Sequence, residues 1–379
     1  MTIGIDIRLL GKGVKSGIEE YTENLLAHLI PLDPKIKFKL FYSSFSNELP
    51  EYDWLKYPNV ELFKYRFPNK LLFLSSSFLN SPKLDQLIGG ADVFFSPHFF
   101  ITALSPSCKR VVTFHDLSYI HFPEFFSWRK HIWHNFEMKP IWQSHFSDKI
   151  IAVSESTKND LINLYHVDPV KVEVIYSGIS SSVKRPSDKN LQEFKFKNKL
   201  PDEFVLFLGK FEPRKNINGI IKAFNILKRN SNFNNLNLVL VGSRGWLYKN
   251  IFEDIKKSEY KNSIIIKEQV ADDERSFYYS LASVFVYPSF FEGFGFPPLE
   301  AMKCGVPVIT SRNSSIPETV GNSSILVSGH NIDELASAIE AVLGNKAFKE
   351  DLIRTGLKRS SLFDWHKTAE RTLDCLISK

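Results

Sequence analysis

The chain has 379 residues, room for two domains of ordinary size, and 43% of them are apolar and 24% charged. That balance excludes a mainly disordered protein, and the formal charge of +6 forms no separate basic block, which argues against a dedicated nucleic-acid binder. Three widely spaced cysteines, Cys108, Cys304 and Cys375, exclude a disulfide framework or a cysteine-rich zinc site and point to a reducing, cytoplasmic setting.

The first ten residues alternate like a strand and lack the basic start and apolar core of a signal peptide. Strand-like runs then follow at Ile3 to Arg8, Phe38 to Ser43, Val60 to Tyr65, Val93 to Ser96, Arg110 to His115, Ile150 to Ser154 and Val172 to Tyr176. Helical patterns follow the first of these (Ile18 to Ile30) and the sixth (Ser156 to Tyr165). The apolar stretch Leu71 to Leu79 is broken by Ser75, Ser76 and Ser77, well short of the ~18 residues a membrane-spanning helix needs. Phenylalanine, at 33 residues, is read chiefly as core.

The polar stretch Ser180 to Asn198 has no clean period and is expected to be linker and hinge. Beyond it, strand-like runs at Phe204 to Gly209, Leu236 to Gly242, Ser263 to Val270, Ser283 to Ser289, Pro307 to Ser311 and Ser324 to Val327 alternate with helical patterns. The helices are Ile217 to Arg229, Tyr248 to Ser258, Asp273 to Ala282, Pro298 to Lys303 and Asp333 to Leu343. Strand alternating with helix predicts α/β architecture with parallel sheets covered on both faces, and ligands at the carboxyl ends of the strands. Two doubly wound domains are expected, 1–180 and 199–361, with 362–379 a helix packing back on the first.

Two windows carry the chemistry. In Val286 to Gly305 a strand ends at Ser289, a loop holds Gly293 and Gly295, and Pro297 and Pro298 mark a helix start. Such a loop offers backbone N–H groups and a positive dipole end to a phosphate. Glu292 and Glu300 bracket the loop, and carboxylates beside an anion site call for another ligand, such as sugar or ribose hydroxyls. In Leu206 to Asn216 a strand ends at Gly209 and Lys210, Arg214 and Lys215 crowd the turn, where a diphosphate would neutralise them.

The first half is plainer. Gly11 to Gly17 joins a strand to a helix but is one residue too long for the dinucleotide fingerprint, so it reads as a loop that lets substrate approach the backbone. His115 ends a strand, where a ligand would sit. His98, His121, His131, His134 and His145 have no zinc-ligand spacing, and no Asp-x-Asp pair is present to hold Mg²⁺ or Mn²⁺.

These features resemble the retaining glycosyltransferases of family 4, glycosyl transferases group 1. The segment EGFGFPPLEAMKCGVPVITS is similar to that family's Glu-x7-Glu signature, GKFEPRKN to its phosphate-binding stretch and VVTFHDL to its first-domain histidine strand. IIAVSESTKNDL and VIYSGI match its landmarks before the linker. The resemblance implies the GT-B architecture, two facing Rossmann-like domains with a cleft between them. It implies a nucleotide-sugar donor, a glycan or lipid-linked acceptor, no cofactor and no essential metal. By motif, Glu300 would hold the ribose hydroxyls, Lys215 with Lys210 or Arg214 the diphosphate, and Glu292 with the amides of Phe294, Gly295 and Phe296 the donor sugar. Gly17 would lie under the diphosphate and His115 against the sugar. Lys215, Glu292 and His115 are thus the catalytic candidates.

Two departures stand out: Gly209-Lys210 replaces the Gly-Arg of many members, and Glu19-Glu20 replaces a second Gly-Arg after the loop glycine. The EPRKN variant is similar to that of members using GDP-mannose in polysaccharide or O-antigen assembly, so mannose is the expected sugar. A sugar-nucleotide 2-epimerase shares the fold and is the alternative; a nucleotide-sugar-binding scaffold is a third, disfavoured by intact Glu292, Glu300 and Lys215. The aromatic and basic stretch His121 to Phe136 is a candidate contact with a lipid-linked acceptor at the inner face of a membrane.

Overall fold

Runs of Val, Ile, Leu and Phe without polar interruption form the strands, as expected where a parallel sheet is covered on both faces. The computed structural model describes residues 1–12, 17–126, 138–268 and 270–378. It divides into two units, Met1–Gly178 with Asp364–Lys379, and Ile179–Phe363.

In the first unit β1 (Thr2–Asp6), β2 (Lys37–Ser43), β3 (Val60–Tyr65), β4 (Val93–Ser96), β5 (Lys109–Phe114), β6 (Lys149–Ala152) and β7 (Val172–Val174) form one parallel sheet in the order β3-β2-β1-β4-β5-β6-β7. Ile3, Ile5, Phe38, Phe94, Val111 and Ile150 are fully buried in it, each such side chain contributing roughly 1.5–3 kcal/mol by leaving water. The last helix, Trp365–Ile377, belongs to this unit. Thr368 donates to the carbonyl of Tyr176, and a side chain at Gly178 would collide with Trp365.

The second unit holds β8 (Phe204–Leu208), β9 (Asn237–Val241), β10 (Ile264–Lys267), β11 (Val284–Tyr287), β12 (Val308–Ser311) and β13 (Ile325–Val327). These are again all parallel, in the order β10-β9-β8-β11-β12-β13. Both sheets run outward in two directions from their first strand, and the crevice at that reversal is where such sheets take ligands: between β1 and β4, and between β8 and β11.

Of the expected linker only 180–187 is without helix or strand. Asp188–Asn198 is a helix of the second unit, capped by Ser187 accepting from the Asn190 N–H, and it buries Leu191 and Phe194 against the Arg275–Leu281 helix. Two buried residues three apart on an otherwise polar helix leave little periodicity to read. Among the described residues three helices carried no prediction either. Short turns aside, these are Asn69–Leu79, Pro140–Phe146 and the mostly polar Lys346–Ser360.

Candidate active site

At the carboxyl end of β8 the chain turns through Gly209 and Lys210, and β11 ends at Tyr287 before the glycine loop. The two motif windows therefore meet at the reversal point of the second sheet. Tyr287 stacks in the row Phe207, Tyr287, Phe285, at centroid distances of 5.8 and 5.9 Å, which fixes its hydroxyl at the strand end. Lys215 donates to that hydroxyl at 2.6 Å and to Glu292 Oε1 at 2.6 Å. Arg214 donates to Glu292 Oε2 at 3.1 Å, to Glu212 at 3.0 Å and to the Phe291 carbonyl.

Glu212, Lys215 and Glu292 are all buried, and their charges control one another. Burial by itself would raise the Glu292 carboxyl, but Arg214 and Lys215 overcome that and hold it at about 2. Burial, then Arg214, pushes the Lys215 ammonium below its ordinary value, against the pull of Glu292 and Glu212. Burial and then Glu292 keep the Tyr287 phenol protonated well above its usual range. Two cations face two carboxylates, so this cluster is electrically balanced before any ligand arrives. Lys210, half-buried, makes no hydrogen bond or ion pair among the described residues and adds a positive charge beside it. The expectation that a diphosphate alone neutralises the turn is thereby revised: Glu292 and Glu212 already do so.

The loop runs from Glu292, whose N–H donates to Ser314, into the Phe296–Lys303 helix. Gly295 caps that helix at φ 95°, and a side chain there would strike Ile316 at 2.6 Å, so glycine is required twice over. The amides of Gly293 and Gly295 make no hydrogen bond among the described residues. Pro297 and Pro298 remove two of the four N–H groups a helix start ordinarily leaves unpaired, so the dipole end offers fewer donors than the sequence reading assumed. Phe294 is buried against Phe363 and Phe296.

Glu300 lies in the second turn of this helix, 2% exposed. Tyr279 donates to its Oε2 at 2.8 Å, and Arg275 lies 3.4 Å from Oε1. Four supporting residues thus went unassigned in the sequence reading: Glu212, Tyr287, Arg275 and Tyr279. Glu212 stands inside the GKFEPRKN stretch; the other three carry no local signal, because the site residues they hold lie 21 to 72 residues away in the chain.

In the first unit His115 follows β5, half-buried, its ring 4.8 Å from that of Tyr21. Its Nε2 lies 2.8 Å from the Pro97 carbonyl, which only accepts, so Nε2 carries the proton and Nδ1 is left as an acceptor. Burial lowers the His115 pKa, so the ring is neutral near pH 7. Gly17 opens the Gly17–Leu29 helix, with Glu19 and Glu20 in its first turn, where acids suit the dipole. Residues 13–16 of the glycine loop lie outside the described residues. Gly11 answers to packing rather than to substrate: a side chain there would overlap the Tyr42 hydroxyl at 2.1 Å. Among the described residues no three His, Cys, Asp or Glu side chains gather as metal ligands; His131 and His134 fall outside them. The three cysteines are buried and unpaired.

Each unit is a Rossmann-like parallel sheet, and in the second a charge-balanced cationic turn lies beside a glycine loop at the switch point, where such sheets take ligands. The Glycosyltransferase Family 4 model matches residues 15–183 and the Glycosyl transferases group 1 model residues 188–359. The chain belongs to the group 1 glycosyltransferases of family 4 and has their GT-B class of fold. It is 28% identical over 284 residues to the O-antigen chain mannosyltransferase B of Escherichia coli, spanning 74% of this chain and 73% of that protein. It is 31% identical over 249 residues to the serotype-specific mannosyltransferase WbdA of the same organism, 63% of this chain but only 30% of that one. Among solved structures, Anabaena HepE in complex with UDP and glucose superposes with a TM-score of 0.73 at 20% identity, covering all of both chains.

Proposed function

We propose that this glycosyltransferase moves a mannose from GDP-mannose, with retention at the anomeric carbon and without a metal ion, to a glycan or lipid-linked acceptor in polysaccharide or O-antigen assembly. The observation that supports this most is the buried set Lys215, Arg214, Glu292 and Tyr287 at the switch point of the second sheet, beside the Gly293–Gly295 loop. Lys215 and Lys210 take the diphosphate, and Glu300, fixed by Tyr279 and Arg275, takes the ribose hydroxyls. Glu292 and the loop amides take the sugar, and the His115 Nδ1 accepts from a sugar hydroxyl.

Positive charge already in place stabilises the leaving diphosphate as its negative charge grows, usually the largest contribution in such sites. The departing phosphate oxygen takes the acceptor's proton on the face of attack, so no protein nucleophile is needed. The relatives' names, an O-antigen chain mannosyltransferase and a serotype-specific mannosyltransferase, support the sugar, and the first supports the setting.

Thermal shift with GDP-, UDP- and ADP-sugars tests the donor: GDP-mannose should give the largest stabilisation. Transfer should then require acceptor and survive EDTA. Conversion of a UDP-sugar with no acceptor present would favour the epimerase instead, and loss of transfer in EDTA with recovery on adding Mg²⁺ would overturn metal independence.

A further inference from the structure

The ladder between β8 and β11 stops at Leu206 paired with Phe285, short of both motif windows. Beyond it, two bonds flank Lys215. On one side the Phe290 N–H donates to the Arg214 carbonyl at 2.8 Å. On the other, the Asn216 side chain donates through Nδ2 to the Pro288 carbonyl at 3.2 Å and to the Gly329 carbonyl at 2.6 Å. Between them Lys215 reaches the Tyr287 hydroxyl at 2.6 Å. The bond from Asn216 to Pro288 therefore lies one residue along from the bond of Lys215 to Tyr287 on both segments.

The backbone places Asn216 for this. At φ 56° it occupies the left-handed region, closing the Pro213–Lys215 turn and opening the Ile217–Lys228 helix. Asparagine is among the few residues with a side chain that take this conformation readily; glycine takes it too but brings no amide. An asparagine at a helix start ordinarily caps it, yet this one makes no capping bond to the helix. Its amide is turned instead toward the segments that follow β11 and β13. The side chain is 6% exposed, and two glycines make room around it. A Cβ at Gly219 would lie 2.5 Å from Asn216 Oδ1, and one at Gly329 would lie 3.2 Å from the Pro288 carbonyl oxygen.

Lys215 has need of such fixing. Its ammonium rides on a flexible four-carbon stem, and both of its hydrogen-bond partners, Tyr287 and Glu292, belong to the other window. A shift of about 1 Å between the windows would move the charge away from the bond that breaks, and such shifts are costly to rate. We infer that Asn216 is the positioning residue for Lys215: by tying together the segments after β8, β11 and β13, it holds the ammonium where charge grows on the leaving diphosphate. The inference rests on the role proposed for Lys215 and adds that this role depends on a neutral, buried neighbour. It is independent of the acceptor, and so of the His121 to Phe136 stretch singled out in the sequence, whose residues 127–136 lie outside the described residues.

Asn216→Gly keeps the left-handed backbone and removes only the amide. GDP release from GDP-mannose, with water as the acceptor, should slow about tenfold, while the dissociation constant for GDP changes less than about threefold. Asn216→Asp, of the same shape but unable to donate, should slow release at least as far. In a Lys215→Ala background Asn216→Gly should cause no further loss, as expected of a residue that acts through Lys215. A second readout needs no donor. Against the effect of burial, Arg214 and Lys215 hold down the Glu292 carboxyl, in the cluster with Glu212 and Tyr287. A displaced Lys215 lets that carboxyl rise, so the drop in urea midpoint from pH 5 to pH 3 should be smaller in Asn216→Gly than in the parent and approach that of Lys215→Ala. A residue that only packs would lower both midpoints alike, and the cooperative transitions themselves show that the variants fold. Lys215→Ala at the parent's rate would overturn the reading of Lys215 and this inference with it. An impaired Lys215→Ala beside an Asn216→Gly that keeps the parent's rate and pH response, or losses that multiply in the double variant, would overturn this inference alone.

Discussion

At the carboxyl ends of β8 and β11 the side chains hold one another: Lys215, Arg214, Glu292, Glu212 and Tyr287 share five hydrogen bonds or ion pairs within a single buried cluster or to its backbone. At the carboxyl ends of β5 and β1 in the first unit stand His115, neutral, and the Asp6–Arg8 pair, whose ions satisfy each other beneath Phe41, Phe73 and Phe100. One reversal point concentrates charge that a ligand can draw on; the other presents a hydrogen-bond acceptor and rings. Two sheets that share one order over their first six strands thus support different work, because function resides in the side chains at the strand ends.

If that contrast is right, the second unit should respond strongly to small changes and the first weakly. The largest effect expected is on stability in acid. The Glu292 pKa is held at about 2, below its ordinary 4.5, so its contribution is fully present above about pH 4.5 and is lost as pH falls toward 2. The shift corresponds to up to about 3 kcal/mol. Urea unfolding of the parent and of Glu292→Gln at pH 5 and pH 3 should show a steeper loss in the parent. Equal losses would mean that the carboxylate is not held by the two cations.

Next comes Lys215→Ala, expected to lower kcat about 10²-fold or more, because the ammonium stabilises charge that grows as the glycosidic bond breaks. Donor affinity should fall less, since Lys210 and the loop amides remain. A kcat within about threefold of the parent would remove the cationic turn from the site, that being the scale of a solvated ion pair.

Glu300→Gln should weaken donor binding by roughly 1.5–3 kcal/mol by removing a charge-assisted hydrogen bond to ribose. The structure sharpens this expectation through Tyr279→Phe, which leaves the carboxylate in place and removes the bond that orients it. Its effect on donor affinity should be smaller and in the same direction. Isothermal titration with GDP measures both, and an unchanged dissociation constant for Glu300→Gln would break the assignment.

The same contrast explains what could be read from the chain alone. Strands were legible within one or two residues because their burial on both faces forces unbroken apolar runs; in the second half the run at Ser263 to Val270 alone extends further beyond its strand. The second unit's candidate residues were legible because they fall in two short windows, 209–216 and 286–305. Asp188–Asn198 was not, since two apolar contacts on a polar helix leave no period. Nor was Lys346–Ser360, which turns Leu352, Gly356 and Ser360 inward. The pairing of Glu292 with Lys215 was hidden for another reason: 77 residues separate them, and only the adjacency of β8 and β11 brings them together.

The smallest effect expected is at His115. Burial lowers its pKa, opposed by the Pro97 carbonyl, so the ring is already neutral at pH 7 and gains nothing from further deprotonation. An imidazole fixed with its proton on Nε2 can accept from a sugar hydroxyl at Nδ1, a single neutral hydrogen bond of about 0.5–1.5 kcal/mol. His115→Gln should therefore reduce kcat/KM by about threefold to tenfold and leave the shape of its pH profile between pH 6 and 8 as in the parent. A general acid or base at this position would behave otherwise, since removing it abolishes a limb of the profile along with most of the rate. Steady-state kinetics of parent and variant across that range separate the two, and a limb lost in His115→Gln would make the first unit a partner in proton transfer rather than a surface that positions the sugar.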